Sequence, residues 1–129
     1  MPSKPKCTSS RKQDGKNFIA AFFGTPDFDM NSRYQMIRPI GHGAYGAVIS
    51  ALDKSLNLHV AIKKIPHTFE DLQNAKRIVR EIRLLRNFDH PNVITMFHVF
   101  TPQSHSQFDD LFIVSDLMET DLNRVIYSR

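Results

Sequence analysis

The stretch that decides the fold is Gly41-His42-Gly43-Ala44-Tyr45-Gly46-Ala47-Val48, taken together with Val60-Ala61-Ile62-Lys63, whose lysine lies fifteen positions past Val48. A turn with three glycines lets the backbone come close to phosphate groups, because no Cβ stands in the way. A lysine on a neighbouring strand can supply a positive charge to the same phosphates. The two stretches together therefore predict a phosphate-binding site, whereas the glycine turn alone would be weak evidence.

A dinucleotide-binding turn is the obvious alternative for this glycine pattern. Such a turn leads directly into a helix, with an acidic residue about 20 positions further on. Here the third glycine leads into Ala47-Val48-Ile49-Ser50-Ala51-Leu52, which is apolar and β-branched and predicts a strand. Residues 53–57 form a polar turn and residues 59–65 predict the next strand. The order strand, glycine turn, strand, turn, strand predicts an antiparallel sheet with the phosphates under a hairpin.

The net charge of +4 belongs to the N-terminal tail. Residues 1–16 contain five Lys or Arg residues and one acidic residue, and the rest of the chain has twelve of each sign. The charge therefore gives no reason to expect nucleic-acid binding by the folded part. For the tail, a solvated disordered arm is favoured over a targeting or docking segment.

The single cysteine, Cys7, excludes a disulfide framework and favours a reducing compartment. No apolar run approaches the roughly 20 residues that a membrane-spanning helix needs. The N-terminus also lacks the apolar core of a signal peptide. These features predict a protein of the cytoplasm, the nucleus or both, without a membrane partner.

Two regions follow from the pattern along the chain. Residues 1–33 predict a basic, largely disordered extension, and residues 34–129 predict the folded domain, whose first strand covers residues 34–40. The extension contains an apolar segment that is expected to pack against the back of the domain or to be covered by a partner. Its large apolar residues are Phe18, Ile19, Phe22, Phe23 and Phe28.

The clearest helix follows the third strand. Thr68 and Asp71 resemble a capping box at its start. The apolar residues then recur at helical spacing, at Leu72, Ala75, Ile78, Val79, Ile82 and Leu85. Lys76, Arg80 and Arg83 fall on the opposite, solvated face. Glu81 projects into the apolar arc and needs a partner, because an unpaired buried charge is costly. That partner is either Arg77, four residues earlier, or Lys63.

The remainder predicts two more strands and a second helix. His90-Pro91-Asn92 breaks the chain, residues 93–100 and 111–115 predict strands, and a polar loop at 101–110 joins them. Residues 116–122 predict a connector, and residues 123–129 predict the start of a helix. The whole is an α+β fold, a five-stranded antiparallel sheet with one main helix.

These motifs, in this order, resemble the small lobe of a eukaryotic protein kinase over about residues 34–129. The details are similar to the MAP kinase family, and Asp116-Leu117-Met118-Glu119-Thr120-Asp121-Leu122 is especially similar to its extracellular-signal-regulated branch. Further matching strings are Gly-Ala-Tyr-Gly at 43–46, Val-Ala-Ile-Lys-Lys-Ile at 60–65 and Arg-Glu-Ile at 80–82.

The resemblance implies a role for each matching residue. Gly41, Gly43 and Gly46 would shape a lid over the phosphates of ATP, with His42, Ala44, Tyr45 and Ala47 in the same turn. Ile40, Val48 and Ala61 would cover the adenine, although for those three taken alone ordinary core packing is the preferred explanation. Lys63 would hold the α- and β-phosphates and Glu81 would orient it. Ser115 would guard the back of the adenine pocket. Asp116 and Met118 would offer backbone groups to the adenine edge, and Asp121 would lie near the ribose.

The same resemblance implies a serine/threonine protein kinase that uses ATP and Mg²⁺. It also implies protein substrates and an upstream kinase that activates the enzyme. The sequence contains no His-Arg-Asp catalytic loop, no Asp-Phe-Gly and no Thr-x-Tyr segment. These carry the catalytic base and the metal ligands of phosphoryl transfer. We therefore expect the front part of such a kinase, without a metal ligand of its own and unable to transfer phosphate alone. The alternative is a catalytically inactive fragment that binds a nucleotide or a partner.

Overall fold

The computed structural model describes residues 33–43, 46–101 and 109–128. Within them, one antiparallel sheet has the strand order β1-β2-β3-β5-β4. The strands are β1 (Tyr34–Gly43), β2 (Gly46–Asp53), β3 (Leu58–Ile65), β4 (Met96–Phe100) and β5 (Leu111–Asp116). Two helices accompany the sheet, α1 (Leu72–Asn87) and α2 (Leu122–Tyr127). The predicted α+β fold, a five-stranded antiparallel sheet with one main helix, is confirmed. The expectations for residues 1–32 and for most of the loop before β5 lie outside the described residues.

The alternation of side chains along the strands builds two cores on opposite faces of the sheet. Ile49, Ile62 and Val114 are fully buried in the first core, on the outer face. The second core lies on the inner face, where Ile78 of α1 packs with Ile65 and Ile113. The helix is therefore held beneath β3 and β5, and the inner face becomes the place where sheet and helix side chains meet.

The start of α1 differs from the predicted capping box. Asp71 is the N-cap, and its carboxylate accepts hydrogen bonds from the backbone N–H groups of Gln73 and Asn74. Thr68 is instead buried, and its hydroxyl donates to the carbonyl of Ile65 at 3.1 Å. The threonine thus closes the turn that leaves β3, because a buried hydroxyl needs a partner.

The apolar face predicted for α1 is also partly wrong. Ile78 is the one buried residue of the helix, whereas Leu72 and Val79 are exposed. A helix that lies on one side of a single sheet buries only a narrow stripe. The apolar residues beside that stripe remain at the surface within the described part of the chain.

Some strands begin or end a few residues away from the positions predicted from the sequence. β1 extends to Gly43, and β4 begins at Met96 rather than at residue 93. The residues before β4 form a turn instead, in which Val93 donates its N–H to the carbonyl of His90. Neither described helix is long and apolar enough to cross a membrane.

Candidate functional site

A cleft of about 370 Å³ opens between the inner face of the sheet, α1 and the connector that joins β5 to α2. Ile40, Val48 and Ala61, from three successive strands, form its apolar wall. The strand register places Val48 beside Lys63 and Ala61 beside Ser115. One face of the sheet therefore brings apolar, cationic and hydroxyl side chains to a single cavity.

Lys63 and Glu81 form the predicted ion pair in this cleft. The Lys63 Nζ lies 3.1 Å from Oε1 and 3.4 Å from Oε2 of Glu81. Its geometry follows from the inner core: Ile65, two residues after Lys63, packs in the same cluster as Ile78, three residues before Glu81. The side chains are 31 % and 42 % exposed, so water screens the pair. Its main effect is to hold the ammonium group in place rather than to stabilise the fold.

The connector, residues 117–121, closes one side of the cleft. Ser115, Asp116, Met118 and Asp121 all line it, as predicted from the sequence. The N–H of Asp116 already donates to the carbonyl of Thr95, and its carboxylate accepts from the N–H of Thr95. A backbone group that Asp116 offers to a ligand therefore has to be its carbonyl oxygen. Asp121 is the N-cap of α2 and accepts from the N–H of Arg124 at 2.7 Å.

Fewer residues of the glycine turn line the cleft than the sequence predicted. Gly41, His42, Gly43 and Gly46 are not among the residues that line the cleft. Gly43 pairs with Gly46 at the end of the β1–β2 hairpin. The predictions for Ala44 and Tyr45, at the tip of the hairpin, lie outside the described residues. The turn thus stands at the edge of the cavity.

Two residues next to the site turn their side chains away from the cleft. Ala47 is predicted as a nucleotide-site residue, but its side chain lies in the outer core, because neighbours on a strand face opposite ways. Lys64 is buried, and its Nζ lies 2.9 Å from a carboxylate oxygen of Asp110. Its ammonium group therefore pairs with a carboxylate in the loop before β5.

Several cleft residues were missed by sequence reasoning. Arg38 and Ile113 share the face of Ile40 and Ser115, two positions away on the same strands, so strand alternation was a signal that could have found them. No comparable local signal pointed to the others, which come from α1, the turn before β4, the connector and α2: Leu85, Ile94, Leu117, Glu119, Thr120 and Arg124.

A group of potential metal ligands lies outside the cleft. One ligand atom each of His67, Glu70 and Asp109 lies within 4.8 Å of the others, and all three residues are exposed. His67 Nδ1 is 2.8 Å from a carboxylate oxygen of Glu70, a direct polar contact that accounts for the proximity of these two side chains. None of the three lines the cleft.

The fold and the cleft agree with the comparisons with known proteins. The family model described as protein kinase domain matches residues 34–129, and the chain belongs to the protein kinase family. Within that family it is a MAP-kinase-like N-terminal lobe. It is 44 % identical over 128 residues to "Extracellular signal-regulated kinase 1" of Dictyostelium discoideum, covering 99 % of this chain and 24 % of that protein.

Two plant proteins show the same relationship. "Mitogen-activated protein kinase 7" of Arabidopsis thaliana is 42 % identical over 117 residues, which is 91 % of this chain and 31 % of that protein. "Mitogen-activated protein kinase 3" of the same plant is 47 % identical over 115 residues, which is 88 % of this chain and 31 % of that protein. The chain spans 24–31 % of the length of these curated relatives.

Proposed function

We propose that the cleft binds ATP and serves a serine/threonine protein kinase of the MAP kinase type. In that reaction the γ-phosphoryl group of ATP passes to a serine or threonine hydroxyl of a protein substrate. Protein substrates and an upstream activating kinase belong to the same proposal, because both follow from the family rather than from a contact in this chain.

The observation that carries the proposal is the Lys63–Glu81 ion pair at the polar end of an otherwise apolar cleft. A cavity of about 370 Å³ lies within the usual range of ligand sites, roughly 300–1,000 Å³. Its apolar wall suits an aromatic base, and its lysine suits phosphate oxygens. The residues present therefore fit a nucleotide.

We assign each residue one task. Ile40, Val48 and Ala61 enclose the adenine, while the carbonyl of Asp116 and the N–H of Met118 meet its polar edge. Ser115 is small, so the back of the adenine pocket stays open. Lys63 donates to the α- and β-phosphates, and Glu81 keeps the Lys63 ammonium group pointed at them. Asp121 lies at the ribose end of the cleft.

We assign no residue of this chain to the binding of magnesium. Mg²⁺, when bound with ATP, neutralises charge on the phosphates. Its usual ligands are a DFG aspartate and a catalytic-loop asparagine, and the sequence contains neither motif. The residues of the cleft suit binding and orientation of the nucleotide.

The test compares nucleotide affinity between two lysine variants. Lys63→Met should weaken binding of a fluorescent ATP analogue about tenfold or more, because hydrogen bonds to charged groups are lost. Lys54→Met removes the same charge from the exposed turn between β2 and β3 and should leave the affinity unchanged. Fluorescence anisotropy gives the dissociation constants, and circular dichroism shows that both variants are folded. Equal affinity of wild type and a folded Lys63→Met protein would overturn the assignment.

A further inference from the structure

Two rows of paired residues cross the inner face of the sheet and lead into the nucleotide cleft. In the first row Val48 pairs with Lys63. In the second row Ser50 pairs with Ala61, and Ala61 pairs with Ser115. The rows are two residues apart along the strands, which is about 6–7 Å. Under the proposed function, the first row lies at the phosphates and the second row lies at the adenine.

An irregularity in β1 turns the side chain of Arg38 toward the second row. Met36 pairs with Ala51 and packs against the outer core. Counted from Met36, strict alternation would put Arg38 on that same outer face. The register shifts between these two residues, however, and Arg38 pairs with Ser50 and lines the cleft. A β-bulge re-aims a side chain in this way, and here it adds a guanidinium group to the adenine end of the cleft.

The charges that line the cleft leave one cation and one carboxylate over. Seven charged residues line it. Five of them have a salt bridge or a side-chain hydrogen bond to another described residue, namely Lys63, Glu81, Asp116, Asp121 and Arg124. The other two, Arg38 and Glu119, pair with no charge among the described residues, and both are exposed. Because their charges are opposite and both line one cavity, the two side chains are complementary.

Arg38 and Glu119 come from opposite sides of the cleft mouth. Arg38 belongs to β1, at one edge of the sheet, and Glu119 belongs to the connector, which continues from β5. Three strand spacings, about 14 Å, separate β1 from β5. A base that lies under Ala61 is therefore between the two residues. A guanidinium group can stack on an aromatic ring and donate to a carboxylate at the same time.

We propose that Arg38 lies over the base of the bound nucleotide at the mouth of the cleft, and that Glu119 holds the guanidinium there through an ion pair. Arg38 then contacts the ligand, whereas Glu119 is a positioning residue. The task of Arg38 differs from that of Lys63, because Arg38 acts on the base and Lys63 acts on the phosphates. This inference deepens the proposed function and rests on it.

Isothermal titration calorimetry of the full chain with ATP and with adenosine separates the two ends of the cleft. Arg38→Gln should weaken the binding of both ligands by the same factor, about three- to fivefold, because both contain the base that it contacts. Lys63→Met should weaken the binding of ATP and leave that of adenosine unchanged, since adenosine has no phosphate. Arg86→Gln, at an exposed position of α1 that does not line the cleft, is the matched control and should change neither affinity. Circular dichroism shows that the variants are folded.

A double-mutant cycle tests the task of Glu119. Glu119→Gln should weaken the binding of both ligands about two- to threefold, because the guanidinium loses the group that orients it. Arg38→Gln/Glu119→Gln should bind adenosine as well as Arg38→Gln alone does. This non-additivity is expected of two residues that act as a unit, and an unrelated effect of Glu119 on the fold would add to the loss instead.

The contrary results separate the parts of the inference. Unchanged adenosine affinity in a folded Arg38→Gln protein would overturn the contact with the base. A loss confined to ATP would overturn it as well, because Arg38 would then act on the phosphates. Additive losses in the double variant would remove the pairing of Arg38 with Glu119. A wild-type chain that bound neither ATP nor adenosine would overturn the proposed function, and this inference with it.

Discussion

At the scale of single residues, the structure gives a physical reason for glycine at one position of the glycine motif and not at another. Gly46 has a φ of 113°, and a Cβ there would overlap the carbonyl oxygen of Lys64 on the neighbouring strand. At Gly41 an added Cβ would meet no atom within 4 Å. The hairpin thus requires glycine at position 46, whereas the space that a side chain at position 41 would occupy is empty.

A pair of alanine substitutions distinguishes these reasons. Gly46→Ala should lower the free energy of unfolding by at least about 2 kcal/mol, because the unfavourable φ and the overlap both oppose a side chain. Gly41→Ala should change it by less than about 1 kcal/mol. Urea denaturation followed by circular dichroism measures both values. A Gly46→Ala protein as stable as Gly41→Ala would contradict the role given to the hairpin.

The candidate site was largely predictable at this scale. A carboxylate in an apolar arc needs a cation, which left Arg77 and Lys63 as partners of Glu81, and the kinase resemblance implied Lys63, 18 residues away in the sequence. Ala47 is the strand neighbour of Val48, so the alternation of β2 could have placed its side chain on the face away from the cleft. The burial of Lys64 depends on Asp110 in a distant loop, which no periodicity within β3 indicates.

At the scale of elements, α1 connects the inner core to the cleft. It presents Ile78 to the sheet and Glu81 to Lys63, one turn apart along the helix. The pattern of apolar residues predicted the helix and its extent well. It did not predict which of two apolar sides is buried, because both sides have helical spacing.

Matched truncations of neighbouring residues in α1 test this arrangement. Ile78→Ala should lower the free energy of unfolding by about 2–4 kcal/mol, since a cavity forms beside Ile65 and Ile113. Val79→Ala, at a position 52 % exposed, should cost less than about 1 kcal/mol. Thermal or urea unfolding resolves the difference. Similar losses at both positions would mean that the helix lies in another orientation on the sheet.

At the scale of the whole molecule, the buried carboxylate of Asp53 links Arg33, just before β1, to the turn between β2 and β3. Asp53 is 2 % exposed and accepts hydrogen bonds from Arg33 Nε and Nη2 and from the N–H groups of Ser55 and Leu56. The Arg33 side chain, followed by the two backbone donors, holds the pKa of Asp53 below its ordinary value, although burial acts in the other direction.

This pKa makes the stability of the molecule depend on pH in a definite direction. The folded state binds fewer protons at Asp53 than the unfolded state, whose carboxyl has a pKa of about 4. The stabilisation is therefore complete above pH ~4 and is lost as the pH falls through the lower, folded-state pKa. Asp53→Asn should cost about 1–3 kcal/mol at neutral pH, because charge-assisted hydrogen bonds are lost. It should also flatten the loss of stability on acidification.

Urea denaturation of wild type and Asp53→Asn between pH 7 and pH 3 measures both effects. Asp89→Asn, an exposed carboxylate after α1, is the control and should follow the wild-type curve. If Asp53→Asn and wild type lost stability in parallel over the acidic range, Asp53 would not be the group that titrates.

The sequence by itself determined the sheet, the glycine hairpin, the main helix and the need of Glu81 for a cation. Those features are set by local rules, namely the alternation of strands, the need for glycine at a positive φ and the spacing of helical residues. The tertiary structure alone decided the burial of Ile78 rather than Val79, the use of Thr68 to close a turn and the pairing of Lys64 with Asp110. Each of these depends on a neighbour from another element, and which elements become neighbours is settled only when the helix packs on the sheet.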